Sequence, residues 1–238
     1  MSKIYFENDY IVVIPTFKSV SIHKHNFLHI FLLSEKEGNQ HCYRALIVDR
    51  NVKHQMPPRE QCQLFLLIDP TSLLAEKLKS DYLLSAESIL AENIMLTQDY
   101  PADDSQHEVV LFIENLLREM NLPRRENDAG GDALDARDER VAKLIVDIKN
   151  YRHLESLLEE IARENFISIG RLSHIFKEQT GSSLKGYLNI KQLEKAYKLV
   201  LEGHTIVYAA LEAGFSSAAH LAAICKKQTG ISITAVLK

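Results

Sequence analysis

"KEQTG" occupies Lys177–Gly181 and "KKQTG" occupies Lys226–Gly230, forty-nine residues further along the chain. One such pentapeptide says little, but a second copy in the same chain asks for a repeated unit before any other reading. Sliding the last seventy residues by forty-nine aligns Ser168 with Ser217, Leu172 with Leu221, Ile175 with Ile224 and Lys177 with Lys226. Ser183 and Leu188 then match Ser232 and Leu237. Each copy opens with a short apolar helix ("LLEEIARE", "TIVYAALEA"), passes a tight break ("NFIS", "GFSS") and resumes in a second helix starting at the serine. Ser168 and Ser217 stand where N-caps are needed, and Gly214 suits a positive φ after a helix. The repeat therefore predicts two helix-turn-helix units.

Such a unit offers its second helix to the major groove of DNA. In the first copy, "SIGRLSHIFK" puts Leu172, Ile175 and Phe176 inward and leaves Arg171, His174 and Lys177 outward. Arginine pairs bidentately with guanine, histidine donates one hydrogen bond, and lysine suits phosphate. The second copy, "SSAAHLAAICKK", is poorer: His220 is its only early polar reader, with Lys226 and Lys227 at the far end. The first unit is expected to supply most base discrimination and the second to anchor on phosphate.

The charge agrees once it is divided along the chain. The net charge of −4 hides a balance of 13 Lys+Arg against 21 Asp+Glu in residues 1–135, and 15 against 11 in residues 136–238. Only the part that faces phosphate needs a positive field. Between the halves, "NLPRRENDAGGDALDARDER" (Asn121–Arg140) is charged, carries Pro123 and Gly130-Gly131, and reads as a linker. The expected division is a first domain over 1–120, a linker over 121–137 and an all-α domain over 138–238.

The first seventy residues have β character. "YIVVI", "SVSI", "LHIFLL", "YRALIV" and "CQLFLLI" are short runs separated by turn formers such as "SEKEGNQ" and "MPPRE". A small sandwich or barrel is expected. From Pro70 the spacing of Leu73, Leu74, Leu78 and then Ile89, Leu90, Ile94 suggests helices. "SQHEVVLFIENLLREM" gathers Val109, Phe112, Ile113, Leu116, Leu117 and Met120 on one face, open to its own domain or to a second copy. The three cysteines, Cys42, Cys62 and Cys225, fit reduced thiols and form no metal motif. The longest apolar runs fall far short of a membrane span, and the N-terminus lacks a secretory signal, so a cytoplasmic protein is expected.

The marks "LLEEIA", "S…L…IFKEQTG", "YLNIKQLEKAYKLV", "AGFSS" and "KKQTGIS" cover about a hundred residues in order and spacing. In these the segment from Asp138 to Lys238 resembles the DNA-binding domain of AraC-type transcription regulators, two helix-turn-helix units joined by a long helix. The strands before it resemble the cupin-like sensing domain often attached to that module, with "HKHNFLHIFLL" and "ALIVDRNVKHQM" as pocket walls. The resemblance implies a two-domain α+β protein that is not an enzyme. Its N-terminal part would be a cupin-like barrel or sandwich with following helices, and its C-terminal part all-α. Implied partners are double-stranded DNA, a small-molecule effector, a second copy of the chain and RNA polymerase, with no membrane and no cofactor.

The DNA-binding set is Ser168, Arg171, His174, Lys177, Ser217, His220, Lys226 and Lys227; the effector-binding set is His23, His25, His41, Tyr43, Arg44 and His54. The second recognition helix departs from the family pattern, with Leu221, Ala222 and Ala223 in place of an aromatic, a serine and an arginine. Cys225 replaces a phenylalanine, Gln192 an arginine in the connecting helix and Ile233 a proline. Two other readings remain. Metal-dependent cupins use histidines in a comparable motif, so that His23, His25 and His54 would hold a divalent ion in an enzyme with an appended helical domain. Alternatively the second unit no longer docks, and the protein is a modulator with degenerate DNA binding.

Overall fold

The computed structural model describes residues 2–16, 22–37, 40–58, 61–94, 96, 99–102, 104–123, 137–150, 154–229 and 232–236. By backbone proximity the chain forms two compact units: residues 1–20 with 27–132, and residues 21–26 with 133–238. Most of the stretch read as a linker, most of "SVSI", Gly230 and the C-terminal Leu237 and Lys238 lie outside the described residues.

In the first unit six strands make one antiparallel sheet: β1 (Lys3–Phe6), β2 (Tyr10–Ile14), β3 (Leu28–Glu37), β4 (Gln40–Val48), β5 (Cys62–Ile68) and β6 (Ser88–Ile94). Their spatial order is β1-β2-β5-β3-β4-β6. Four of the five apolar runs singled out in the sequence are β2 to β5. The segment with Ile89, Leu90 and Ile94 is not helical as its spacing suggested, but the edge strand β6. Its backbone pairs with β4, Leu90 opposite Leu46 and Ile89 opposite Ile47, and this non-local ladder outweighs a weak local pattern. The earlier part of that stretch is helical: α1 (Leu73–Lys77) is capped by Ser72, whose Oγ accepts the Ala75 N–H at 3.1 Å, and a π-helical turn follows over Leu78–Leu83.

Side chains alternate across a strand. Leu28, Ile30 and Leu32 of β3, Tyr43, Ala45 and Ile47 of β4, and Leu64, Leu66 and Ile68 of β5 pack in one core with α1 and α2 (Gln106–Glu119). Val109, Phe112, Ile113, Leu116 and Leu117 are fully buried in that core and Met120 is 3% exposed. The apolar face of α2 is thus taken up within its own domain, and a dimer through that face would have to strip it from the core. Burial of a side chain the size of Phe112 stabilises by roughly 3 kcal/mol. Tyr82 locks the helix end by donating its hydroxyl to the Met120 carbonyl at 2.7 Å. Burial pushes the Cys62 thiol up to about 12, so it stays protonated.

The second unit holds α3 (Glu139–Lys149), α4 (Leu154–Glu164), α5 (Ile169–Thr180), α6 (Leu184–Leu201), α7 (Ile206–Glu212), α8 (Ala218–Thr229) and the short α9 (Ile233–Val236). Val141, Leu144, Ile145 and Ile148 of α3 share a core with Ile161, Leu172, Ile175, Phe176, Leu184 and Tyr187. Among the described residues no helix is long and apolar enough to cross a membrane.

Candidate nucleic-acid interface

The helix α5 is fixed at both ends by the residues that the repeat singled out. Ser168 Oγ accepts the Arg171 N–H at 3.1 Å, and Gly181 closes the helix in the left-handed region at φ 65°, donating its N–H to the Lys177 carbonyl. Leu172 and Phe176 are fully buried and Ile175 is nearly so. This burial rotates Arg171, His174 and Lys177 to the exposed side. In α8, Ser217 Oγ accepts the His220 N–H at 3.1 Å, Leu221 and Cys225 are buried, and Lys226 and Lys227 are exposed. His220 is held at its Nδ1 by Ser216 Oγ at 3.1 Å and lies edge-on to Phe215. All eight residues assigned to DNA therefore sit on the outer side or the capped N-terminus of a second helix.

One partner of this surface is acidic. Glu178 Oε1 stands 3.3 Å from His174 Nδ1, one helical turn away. A carboxylate beside the exposed His174 imidazole would oppose an approaching phosphate. Replacing Glu178 with glutamine is expected to raise duplex affinity roughly threefold at low salt, with the gain fading as screening rises. Binding isotherms at two ionic strengths check this.

The two turns have the same hydrogen bonds but different lengths. In the first copy Phe166 N–H reaches the Arg163 carbonyl and Ile167 N–H the Ala162 carbonyl; in the second Gly214 N–H reaches Leu211 and Phe215 N–H reaches Ala210. Both are helix C-caps closed by a left-handed residue, Phe166 at φ 53° and Gly214 at φ 85°. Counting to the serine caps, the second turn is one residue longer. Gln192 explains its own departure from the family pattern here: its Nε2 donates to the Gly214 carbonyl at 3.3 Å and ties α6 to the turn. A Cβ at Gly214 would stand 2.7 Å from that nitrogen. Gly214→Ala is expected to lower stability by about 1–2 kcal/mol from the left-handed backbone alone, read by denaturant unfolding.

Cys225 likewise has a structural account. Its sulfur lies 3.0 Å from the Tyr197 hydroxyl, buried between α6 and α8. Burial raises the Tyr197 phenol far above its ordinary value, with Cys225 adding to the effect. The smaller thiol leaves room for the tyrosine that pins the second recognition helix to the connecting helix.

The six effector candidates are not all gathered in one place. On the helix-facing side of the sheet, Tyr43 is buried and accepts the Tyr100 N–H at 3.1 Å. It lines a cavity of about 310 Å³ with Gln63, Asp99, Tyr100, Pro101, Ala102 and Asp104. Burial pushes the Tyr43 phenol up, against the Tyr100 N–H, and burial with Asp104 does the same to Tyr100. The opposite face of β3 carries His29 stacked on Phe31 with ring centres 4.8 Å apart, and His54 approaches His29 at 4.4 Å. His54 Nδ1 donates to the Val52 carbonyl at 2.9 Å; burial holds its pKa below the ordinary value, against that bond. The sheet itself thus separates Tyr43 from His54. Arg44 is half-buried on β4, and His41 lies on the same strand with its side chain outside the description. His23 and His25, with rings 5.2 Å apart, belong to the second unit. Strand membership alone did not show Tyr100 and Asp104, which lie outside the strands and reach the cavity beside Tyr43.

Comparison with known proteins agrees with the helical half. A family model described as a helix-turn-helix domain matches residues 161–238. Among solved structures, ToxT from Vibrio cholerae is similar at 14% identity, with 98% of this chain and 96% of that chain covered and a TM-score of 0.42. ToxT from Vibrio cholerae O395 bound to (E)-4-(8-methylnaphthalen-1-yl)but-3-enoic acid gives 13% identity, the same coverage and a TM-score of 0.43. A search of curated protein sequences finds no match.

Proposed function

Residues 161–238 are a helix-turn-helix domain of the AraC type, and we propose that the chain is a sequence-specific DNA-binding transcription regulator whose first unit senses a small molecule. The observation that carries this reading is the repeated arrangement of α5 and α8: each is capped by a serine, buried on its apolar side and open on its polar side. Arg171 and His174 are the base-reading residues of the first helix-turn-helix and Lys177 its phosphate contact. In the second unit Lys226 and Lys227 grip phosphate, and the alanines of α8 leave His220 as the one early reader. The cavity beside Tyr43 supports effector control, since its volume is at the small end of ligand sites. The protein works in the cytoplasm, a regulator of this kind meets RNA polymerase on the promoter, and pairing of two copies uses a surface other than the buried face of α2.

Binding of the intact protein to duplex DNA across a salt series tests the reading. A steep linear fall of log affinity with log salt, with one sequence favoured over mixed competitor, is the expected outcome. Binding that ignores both salt and sequence would overturn it.

A further inference from the structure

Phe166 is 96% exposed, the most exposed large apolar side chain among the described residues. It also occupies the left-handed region at φ 53°, where a residue with a Cβ is strained and an aromatic is rarely found. The molecule carries its own comparison, because the second copy closes the same hydrogen-bonded turn with Gly214. The turn therefore needs a left-handed residue and has no use for a ring. A strained backbone bearing an exposed side chain points to a role for that side chain.

The surroundings say which role. Phe166 lies two residues before Ser168, the N-cap of the first recognition helix, the end that approaches base edges in this architecture. Arg163 and Arg171, both exposed, flank it in sequence. The nearest acid in the chain, Glu164, is engaged by Lys143 at 2.7 Å. Ile169, in the first turn of α5, is 40% exposed. An exposed aromatic ring and an aliphatic side chain, flanked in sequence by two exposed arginines with no ion pair among the described residues, suit DNA better than an apolar protein surface, which would leave those cations desolvated.

Building on the DNA-binding reading above, we propose that Phe166 is a specificity-determining residue of the first helix-turn-helix unit, making an apolar contact with the 5-methyl group of a thymine at the edge of its half-site. The strain at the turn is retained because the ring is used on the DNA. Phe166 thus joins Arg171 and His174 as a reader, by shape and apolar contact where they read by hydrogen bonds.

The test uses the intact protein and the duplex it enriches from a random pool. Phe166→Gly relieves the backbone and is expected to raise the thermal midpoint by a few degrees, while weakening the selected duplex about fivefold or more. Phe166→Tyr keeps the ring and is expected to bind within about twofold of the parent protein. Uracil in place of the contacted thymine reproduces the Phe166→Gly loss in the parent and costs the variant nothing further. Unchanged affinity in Phe166→Gly overturns the proposal, including the case where only transcription suffers and the ring serves a protein partner. Full tolerance of uracil at every thymine of the site overturns it as well. Should the parent protein enrich no motif at all, the DNA-binding reading itself fails, a result distinct from either of these.

Discussion

Replacing Glu194 with alanine lowers the stability of the second unit by about 3–5 kcal/mol, the cost of stripping one member from a buried ion pair. Glu194 lies on α6, the helix that joins the two helix-turn-helix units. Its carboxylate accepts from Lys191 Nζ at 2.9 Å and lies 2.8 Å from Lys198 Nζ. The side chains of Lys191 and Glu194 are each only 7% exposed, and the Lys191 ammonium sits 5.8 Å from the centre of the Tyr187 ring. Removing the carboxylate leaves that ammonium buried beside an aromatic face that offsets only part of its desolvation. The loss is read by denaturant unfolding; a change under about 1 kcal/mol would show the pair to be dispensable.

The same group sets an acid dependence. Burial pushes the Glu194 carboxyl up, but the ammonium groups of Lys191 and Lys198 outweigh it and hold the pKa below the ordinary glutamate range. A group depressed in the folded state contributes stability that is fully present above its unfolded pKa and is lost as pH falls through the folded value. Stability of the parent protein is therefore expected to fall more steeply with acid than that of Glu194→Gln below the ordinary glutamate range. Parallel curves would contradict the assignment.

Replacing Arg171 with alanine is expected to lower affinity for the preferred duplex by about 1–3 kcal/mol and to relax the preference at one base pair. Lys177→Ala acts differently. It weakens all sequences evenly and reduces the salt slope by about one, because a phosphate contact positions the protein without reading sequence. The asymmetry between the helix-turn-helix units extends the contrast: changes at Lys177, Lys226 and Lys227 are expected to alter affinity, whereas changes at Arg171 and His174 are expected to alter the motif. The distinction rests on Arg171 and His174 standing nearer the capped N-terminal end of α5, while Lys177 stands in the last turn of α5 as Lys226 and Lys227 do in that of α8. Competition assays with single-base variants of the site separate the two behaviours.

The helical half was legible because its signals are local. Apolar spacing placed α5, the family resemblance placed the connecting helix α6, and Ser168 and Ser217 marked caps that the backbone uses. What escaped depends on contacts far along the chain or on backbone geometry without a residue signature. The strand β6 lacks period-two alternation, and only its pairing with β4 makes it a strand. The strand β1, of four residues, forms by pairing with β2, Ile4 opposite Val13 and Tyr5 opposite Val12. The turn at Phe166 was hidden because glycine is the usual sign of a left-handed residue, and here only the second copy has one. By contrast, the pairing of His174 with Glu178 was open to view, since residues four apart on a helix are neighbours. The effector candidates were chosen by type and strand membership, and alternation across the sheet sent Tyr43 and His54 to opposite faces.

The most direct measurement is selection of duplex DNA from a random pool by the intact protein, beside an Arg171→Ala/His174→Ala variant at the same ionic strength. The expected result is a discrete enriched motif with the parent protein and its loss in the variant, with residual binding that falls steeply with salt. No enriched motif with the parent, or the same motif with both proteins, would contradict base reading by α5.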